Sequence, residues 1–216
     1  MIMSNINLNS MRKKILNESK KHIVKHGWNE KLFTLITKNN KFKIEEILAL
    51  FPNGYLSLLE FYLQELNIQM TLSAKNLSLN QMKTHKRIRE IILLRLKINQ
   101  DEKDLIKRTY FTLFLPQHSK IALMALYKTV DQMWFLAGDN STNFNFYSKR
   151  AILASIYTGV MIHFVNNDNI EETIILLNKQ LKRVSKIPQI KSRINDITKI
   201  IPQIFKFGKD INFFKQ

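Results

Sequence analysis

The sequence contains no cysteine, few glycines and prolines, and half as many acidic as basic residues. Without cysteine, disulfide bonds, thiolate zinc sites and a cysteine nucleophile are excluded. Five glycines and four prolines among 216 residues are too few turn formers for a disordered chain or a many-turned β fold. No segment approaches the ~18 uninterrupted apolar residues of a membrane span. Apolar residues make up 45% of the chain, enough for the core of one domain, or of a small module joined to a larger one.

The charge is strongly positive, with 34 basic and 17 acidic residues and a net charge of +17. Both ends carry this excess: residues 1–50 have a net charge of +6 and residues 179–216 of +8. Such a chain favours an anionic partner, which can be a nucleic acid, an anionic membrane or an acidic protein. Residues 1–14 lack the apolar core of a signal peptide. We therefore expect a cytoplasmic bacterial protein that contacts the inner membrane only at its surface.

The densest apolar stretch, residues 130–164, predicts the end of one helix, a turn and a long second helix. Gly138 stands where a left-handed C-terminal cap is expected, and Ser141 and Thr142 are candidate N-caps. The second helix carries apolar residues at spacings of three and four, which places them on one face. They are Phe144, Tyr147, Ala151, Ala154, Tyr157, Val160, Met161 and Phe164.

The other segments also predict helices, so the fold class is all-α. In chain order, helices are expected over Met11–His26, from Trp28, over Phe42–Phe51, Tyr55–Leu66, Asn80–Ile98, from Asp101 to about Leu115, over Ser119–Leu136, and after an Asp168 cap to about Ser185. Ile68–Leu79 is predicted to be a linker. In the Asn80–Ile98 helix, Ile91, Leu94 and Ile98 mark the apolar face, and Arg95 is assigned to the polar faces.

The C-terminal residues form a basic, amphipathic pattern. Isoleucines recur every three or four residues, followed by phenylalanines, at Ile187, Ile190, Ile194, Ile197, Ile201, Ile204, Phe205 and Phe207. This pattern is typical of a helix that packs on its own domain. A basic helix that lies in the membrane interface has the same pattern, although the pattern alone favours packing on the domain or on a partner helix.

Three short helices followed by Phe51-Pro52-Asn53-Gly54 resemble the start of TetR-type regulators. This layout and the basic charge raise the alternative of a ligand-responsive, DNA-binding regulator. Glu45 and Glu46 argue against it, because carboxylates on the predicted recognition helix, Lys43–Leu50, would repel phosphates. The expectation is therefore a degenerate helix-turn-helix that binds no nucleic acid.

Catalytic and metal chemistry have little support. His22 and His26 share a spacing of four with Glu18 one turn earlier, but zinc needs three or four well-placed ligands. His85, His118 and His163 are isolated. No phosphate loop or nucleophile elbow is present in the sequence. We expect no enzyme activity, no metal and no cofactor.

The central stretch resembles an accessory family of ubiquinone biosynthesis whose eukaryotic members are the ninth Coq protein of mitochondria. The resemblance is strongest over residues 88–165. It rests on Asp131, Met133, Trp134, Ala137, Gly138, Asp139, Ser141, Thr142, Phe144, Asn145, Tyr147, Arg150, Ala151, Leu153, Ala154, Ile156 and Tyr157. Phe146 departs from the pattern, in which a tryptophan precedes the tyrosine.

The resemblance implies a TetR-like bundle in which residues 1–67 form the degenerate module, 80–186 a lipid-binding domain and 187–216 a membrane-docking helix. It also implies a homodimer that binds isoprenoid quinone intermediates or phospholipid and docks the demethoxyubiquinone hydroxylase. The expected lipid-binding residues are Leu94, Met124, Tyr127, Met133, Phe135, Ile156, Tyr157, Val160, Met161 and Phe164. The expected partner-binding residues are Met133, Phe144, Phe146, Tyr147 and Arg150, and the membrane-binding residues are those of the C-terminal isoleucine stripe.

Overall fold

The computed structural model describes residues 2–38 and 42–185, except for the side chains of residues 2–6, 143, 144 and 185. In these ranges the regular structure is helical, with no strand, as the sequence predicts. The helices are α1 (Ile2–His26), α2 (Leu32–Thr37), α3 (Ile44–Leu50), α4 (Tyr55–Ala74), α5 (Thr84–Gln100), α6 (Lys103–Leu113), α7 (Ser119–Leu136), α8 (Asn143–Asn166) and α9 (Ile170–Ser185). Short 3-10 turns occur at Leu79–Gln81 and Pro116–His118. The predicted membrane-binding residues, Ile187 to Phe207, lie outside the described residues.

Helices α1, α2 and α3 pack on one another and form the N-terminal module. α1 ends at Gly27, whose φ of +76° suits glycine and whose N–H donates to the Ile23 carbonyl at 2.7 Å. Leu32, Ile36 and Ile47 are fully buried in the same cluster. The module therefore has a hydrophobic interior of its own, which continues into the rest of the chain.

Helix α4 is longer than the sequence predicts, and the expected linker at Ile68–Leu79 is wrong over its first half. The helix continues to Ala74 because Leu66, Met70 and Ala74 repeat every four residues and stay buried. Polar side chains between these residues make the apolar stripe hard to recognise in the sequence. The connection to α5 shrinks to residues 75–83 and contains the turn at Leu79–Gln81.

The large helical layer is built around α7 and α8, which pack along each other. α4 and α5 cover α7, while α6 and α9 pack against α8. α8 is apolar around most of its circumference, and its residues from Leu153 to Val165 supply much of the core. This arrangement brings side chains from six helices, α4 to α9, into one continuous interior.

Two predicted helix starts change in the structure. Asp168 is fully exposed, and its carboxylate pairs with the Lys103 ammonium at 2.9 Å. Asn169 caps α9 instead, since its side-chain oxygen accepts the Glu171 N–H at 2.9 Å. Likewise, α6 begins at Lys103, two residues after the predicted Asp101.

Candidate functional site

Backbone hydrogen bonds close the turn between α7 and α8, and they depend on the left-handed conformation of Gly138. Gly138 has a φ of +75° and donates its N–H to the Phe135 carbonyl at 3.0 Å, while the Asp139 N–H donates to the Trp134 carbonyl at 3.0 Å. This pair of bonds is a Schellman motif, and it confirms the predicted C-terminal cap. From α5, Arg87 reaches across and donates to the Ala137 carbonyl at 3.0 Å. The turn is therefore held both by its own backbone and by a neighbouring helix.

Asp139 is the centre of the polar network behind this turn. Its side chain is only 3% exposed. One carboxylate oxygen accepts from the Lys149 ammonium at 2.7 Å; the other accepts from the Ser141 hydroxyl at 2.6 Å and from Arg150 at 3.3 Å. Arg150 also donates to Asp131 at 2.6 Å. Two carboxylates thus hold Arg150, Asp131 on α7 and Asp139 in the turn between α7 and α8.

The charge on Asp139 is stabilised by these neighbours. Burial alone would raise the pKa of its carboxyl, but the hydrogen bonds from Lys149 and Ser141 outweigh it and lower the pKa below its ordinary value. Asp139 is consequently ionised near neutral pH. The Ser141 hydroxyl donates to this carboxylate. Thr142 occupies the N-cap position of α8, and its side chain forms no capping hydrogen bond within the described residues.

Arg150 supports the predicted partner-binding aromatics from behind. Its guanidinium carbon lies 3.3 Å from the centroid of the Phe146 ring, and its side chain is only 6% exposed. Phe146 meets Tyr147 edge to face, with ring centroids 5.2 Å apart. Both aromatics are half-buried. Arg150 thus positions the pair and presents little surface itself, while the Phe144 side chain lies outside the described residues.

Most of the predicted lipid-binding residues meet in the interior. Met133, Ile156, Tyr157, Val160, Met161 and Phe164 are each at most 5% exposed and belong to one apolar cluster. Leu94, Met124 and Tyr127 are half-buried. Because Met133 is fully buried, it belongs with the interior set and not with the partner surface.

Phe135 lies apart from this set. Its side chain is 71% exposed on α7. Periodicity placed it inside because its neighbours Trp134 and Leu136 are also apolar, and a run of large residues does not show which of them points outward. The structure thus corrects the assignment of Phe135 to the interior.

The structure also buries polar side chains that sequence reasoning missed. Arg95 and Asn99 on α5 are 2% and 1% exposed, although Arg95 was predicted on a polar face. Ile88, Ile91 and Ile92 are buried on the same helix. One helical face carries Ile88, Ile91, Ile92, Arg95 and Asn99. This periodicity is the signal in the sequence that places Arg95 and Asn99 in the interior. The hydroxyls of Tyr110 and Tyr157 meet nearby at 3.3 Å.

Other chemistry is sparse in the described part of the chain. Over residues 2–38 and 42–185, no group of three histidine, aspartate or glutamate side chains could hold a metal ion. No helix within the same ranges is long and apolar enough to cross a membrane. On α3, Glu45 and Glu46 are exposed, and Glu46 accepts the Lys43 N–H at 3.3 Å as part of a helix cap. Two negative charges are therefore exposed on the helix that the sequence predicts as the recognition helix.

Comparison with known proteins places the site in a family. Residues 120–188, which include α7, α8, α9 and the turn, match the COQ9 family model. A TetR transcriptional regulator from Nitrosomonas europaea ATCC 19718 superposes on 82% of this chain and 98% of its own, with a TM-score of 0.67 at 14% identity. Residues 120–188 thus resemble a COQ9 domain, and the chain has a TetR-like fold. This result confirms the predicted resemblance and fold class.

Curated relatives of the COQ9-family domain are mitochondrial ubiquinone biosynthesis proteins. The rat protein COQ9 is 40% identical over 75 residues, which are 35% of this chain and 24% of the rat protein. The fission yeast protein is 25% identical over 150 residues, covering 68% of this chain and 59% of its own length. The Drosophila melanogaster protein is 24% identical over 170 residues, covering 74% and 50%. The similarity thus spans about a quarter of the rat protein's length and about half of the fly protein's.

Proposed function

We propose that this chain is a non-enzymatic accessory protein of ubiquinone biosynthesis, which binds isoprenoid quinone intermediates and presents them to the demethoxyubiquinone hydroxylase. The observation that carries the proposal is the buried aromatic and methionine-rich interior of the COQ9-family domain. Tyr157, Met161 and Phe164 lie side by side along α8, and Met133 joins them from α7. Aromatic rings and a flexible thioether suit an irregular, branched isoprenoid tail.

The energetic benefit comes from shielding the tail. A long isoprenoid chain in water exposes apolar surface at a cost of about 25 cal/mol per Å². Release from the membrane therefore requires a protein interior that replaces the lipid environment. In this proposal the basic isoleucine stripe from Ile187 to Ile204 docks the protein on the membrane, and two copies of the chain form the working unit.

The partner surface is the Phe146–Tyr147 pair. Half-buried aromatics supported by a buried arginine resemble the centre of an interaction hot spot, where a few rigid side chains supply most of the binding energy. Phe146 supplies apolar area without the indole donor of the tryptophan expected there. The contact with the hydroxylase is therefore apolar at this position.

Lipid occupancy can be tested by solvent extraction and mass spectrometry of protein purified from a ubiquinone-producing host. Val160→Phe fills the interior at a fully buried position on α8, and it should lower the amount of bound isoprenoid quinone or precursor severalfold. Ile162→Phe adds the same ring on the same helix at a position that is 43% exposed, and its occupancy should match wild type. Thermal unfolding of both variants checks that the fold is intact. A wild-type protein without lipid, or equal occupancy in both variants, would contradict the proposal.

Partner docking is tested separately by titration with the purified hydroxylase. Tyr147→Ala should weaken binding by roughly 30-fold, the effect of losing about 2 kcal/mol at a hot spot. Ile175→Ala removes an apolar side chain that is 65% exposed on α9, and it should leave the affinity unchanged. Equal affinity in the two variants would move the docking site elsewhere on the chain.

A further inference from the structure

Arg95 is a cation buried in the interior without a counter-charge. It is 2% exposed and lies on α5 among apolar side chains. One terminal nitrogen donates to the Asn67 side-chain oxygen at 3.1 Å, while the Nε atom is buried and has no hydrogen-bond partner in the part of the chain that the structure describes. Across residues 2–38 and 42–185, Arg95 forms no ion pair with a carboxylate. Buried charges in proteins are normally paired, so this arginine lacks a partner that its environment demands.

The neighbouring groups do not neutralise the charge. Burial raises the pKa of Tyr62 and Tyr110, and the positive charge of Arg95 opposes the rise without reversing it. Both phenols therefore remain neutral at physiological pH. The Tyr62 hydroxyl donates to Glu102, whose carboxylate pairs with Lys20 at the other side. The Glu102 carboxylate therefore pairs with Lys20 and does not neutralise Arg95.

A second unsatisfied group lies one helical turn away. Asn99 is 1% exposed, and its side-chain oxygen has no hydrogen-bond partner among the described residues. Its amide nitrogen faces the Met161 sulfur at 3.5 Å, which is a weak acceptor. Residues four apart on a helix share a face, so Arg95 and Asn99 point to the same side of α5. Through Met161, that side adjoins the interior assigned above to the lipid.

We infer that Arg95 anchors the anionic oxygen head group of a bound amphiphile, whose apolar tail runs along α8 beside Met161. This inference rests on the proposed lipid-binding function and adds the orientation and chemical class of a ligand: an amphiphile with an anionic oxygen, which a phospholipid carries and an uncharged quinone ring does not. An anionic oxygen would accept from the Nε atom and supply the missing counter-charge, which is the pairing that a guanidinium forms best. Asn67 holds the guanidinium in place from α4. In the bound state the head group lies at Arg95 and the tail extends along α8.

Two probes that differ only in head-group charge test the inference on the full, delipidated chain. Oleic acid, ionised at pH 8, and methyl oleate have the same tail, and their dissociation constants can be measured by quenching of tryptophan fluorescence below micelle-forming concentrations. The wild-type protein should bind oleate at least tenfold more tightly than methyl oleate. Arg95→Met should reduce this ratio to about one and leave methyl oleate binding unchanged, because methionine keeps the length and apolar character of the stem.

Two further variants control for folding and for overall charge. Arg89→Met removes a cation from the same helix at a position 37% exposed and paired with Glu90, so the preference for oleate should persist. Arg95→Lys keeps the charge and should retain part of the preference. Equal binding of both probes to the wild-type protein overturns the head-group anchor and leaves lipid binding intact. Failure of both probes to bind overturns the lipid-binding proposal together with the anchor.

Discussion

Replacing Asp139 by asparagine tests whether the buried carboxylate holds the α7–α8 turn together. The substitution keeps the shape of the side chain but removes the charge that three donors share: Lys149, Ser141 and Arg150. Removal of one member of a buried ion pair costs about 3–5 kcal/mol, because the remaining charge is left without compensation. Here Arg150 keeps Asp131 at 2.6 Å, and Lys149 is 41% exposed to water. The expected loss of unfolding free energy is therefore about 3 kcal/mol, at the lower end of that range.

Urea and thermal unfolding measure this loss. A destabilisation of about 3 kcal/mol corresponds to a fall in melting temperature of roughly 6–12 °C for a domain of this size. Trp134 is a suitable fluorescent probe, since its indole N–H donates to the Lys149 carbonyl at 3.1 Å and so reports on the network itself. The matched control is Asp168→Asn, which removes a carboxylate that also pairs with a lysine but is fully exposed. Asp139→Asn unfolding at the same urea concentration as Asp168→Asn would refute the reasoning.

The pH dependence supplies a second readout with a defined sign. The pKa of Asp139 is lowered in the folded state, so its contribution is fully present above the unfolded-state pKa of about 3.9 and is lost as the pH falls through the folded-state pKa. The stability difference between wild type and Asp139→Asn should thus be constant near neutral pH and shrink below about pH 4. A difference that persists undiminished into strong acid would show that packing, and not the charge, is responsible.

Three other substitutions probe the turn, the module contact and the surface. Gly138→Ala should destabilise the protein by about 1–2 kcal/mol in urea unfolding, because an L side chain is strained at a φ of +75° and its Cβ would lie 3.0 Å from Arg87. The control is Gly159→Ala, inside α8, which displaces only the flexible end of Gln180 and should be neutral or stabilising. Trp28→Phe should cost about 1 kcal/mol, since the buried indole N–H donates to Thr109 at 3.1 Å; a neutral result would show that water replaces this bond. Phe135→Ser should change neither stability nor lipid occupancy, and loss of lipid on extraction would return Phe135 to the binding set.

Local signals in the sequence determine the helices and several of their ends. Gly27 and Gly138 both adopt positive φ where a helix stops, and α7 has the predicted bounds of Ser119–Leu136. Each of these helix ends depends on the conformation of one or two residues, so the local sequence specifies it without contacts from other helices. The all-α class follows in the same way from periodicity and from the scarcity of turn residues. The COQ9 resemblance adds a family likeness for the region around the turn, because the residues that carry it lie close together in the sequence, between Asp131 and Tyr157.

Tertiary structure alone decides which side of each helix is interior. Arg95 is buried and Phe135 is exposed, against the preference of their residue types, because α5 is covered by α4, α7 and α9 while Phe135 lies on a side of α7 that the neighbouring helices leave uncovered. Asp139 and Arg150 are charged but buried, in a network that only the α7–α8 turn brings together. Periodicity fixes how residues are arranged around a helix, but the packing of the other helices fixes the direction in which that face points. The unpaired guanidinium of Arg95, and the ligand inferred from it, are consequences of that packing.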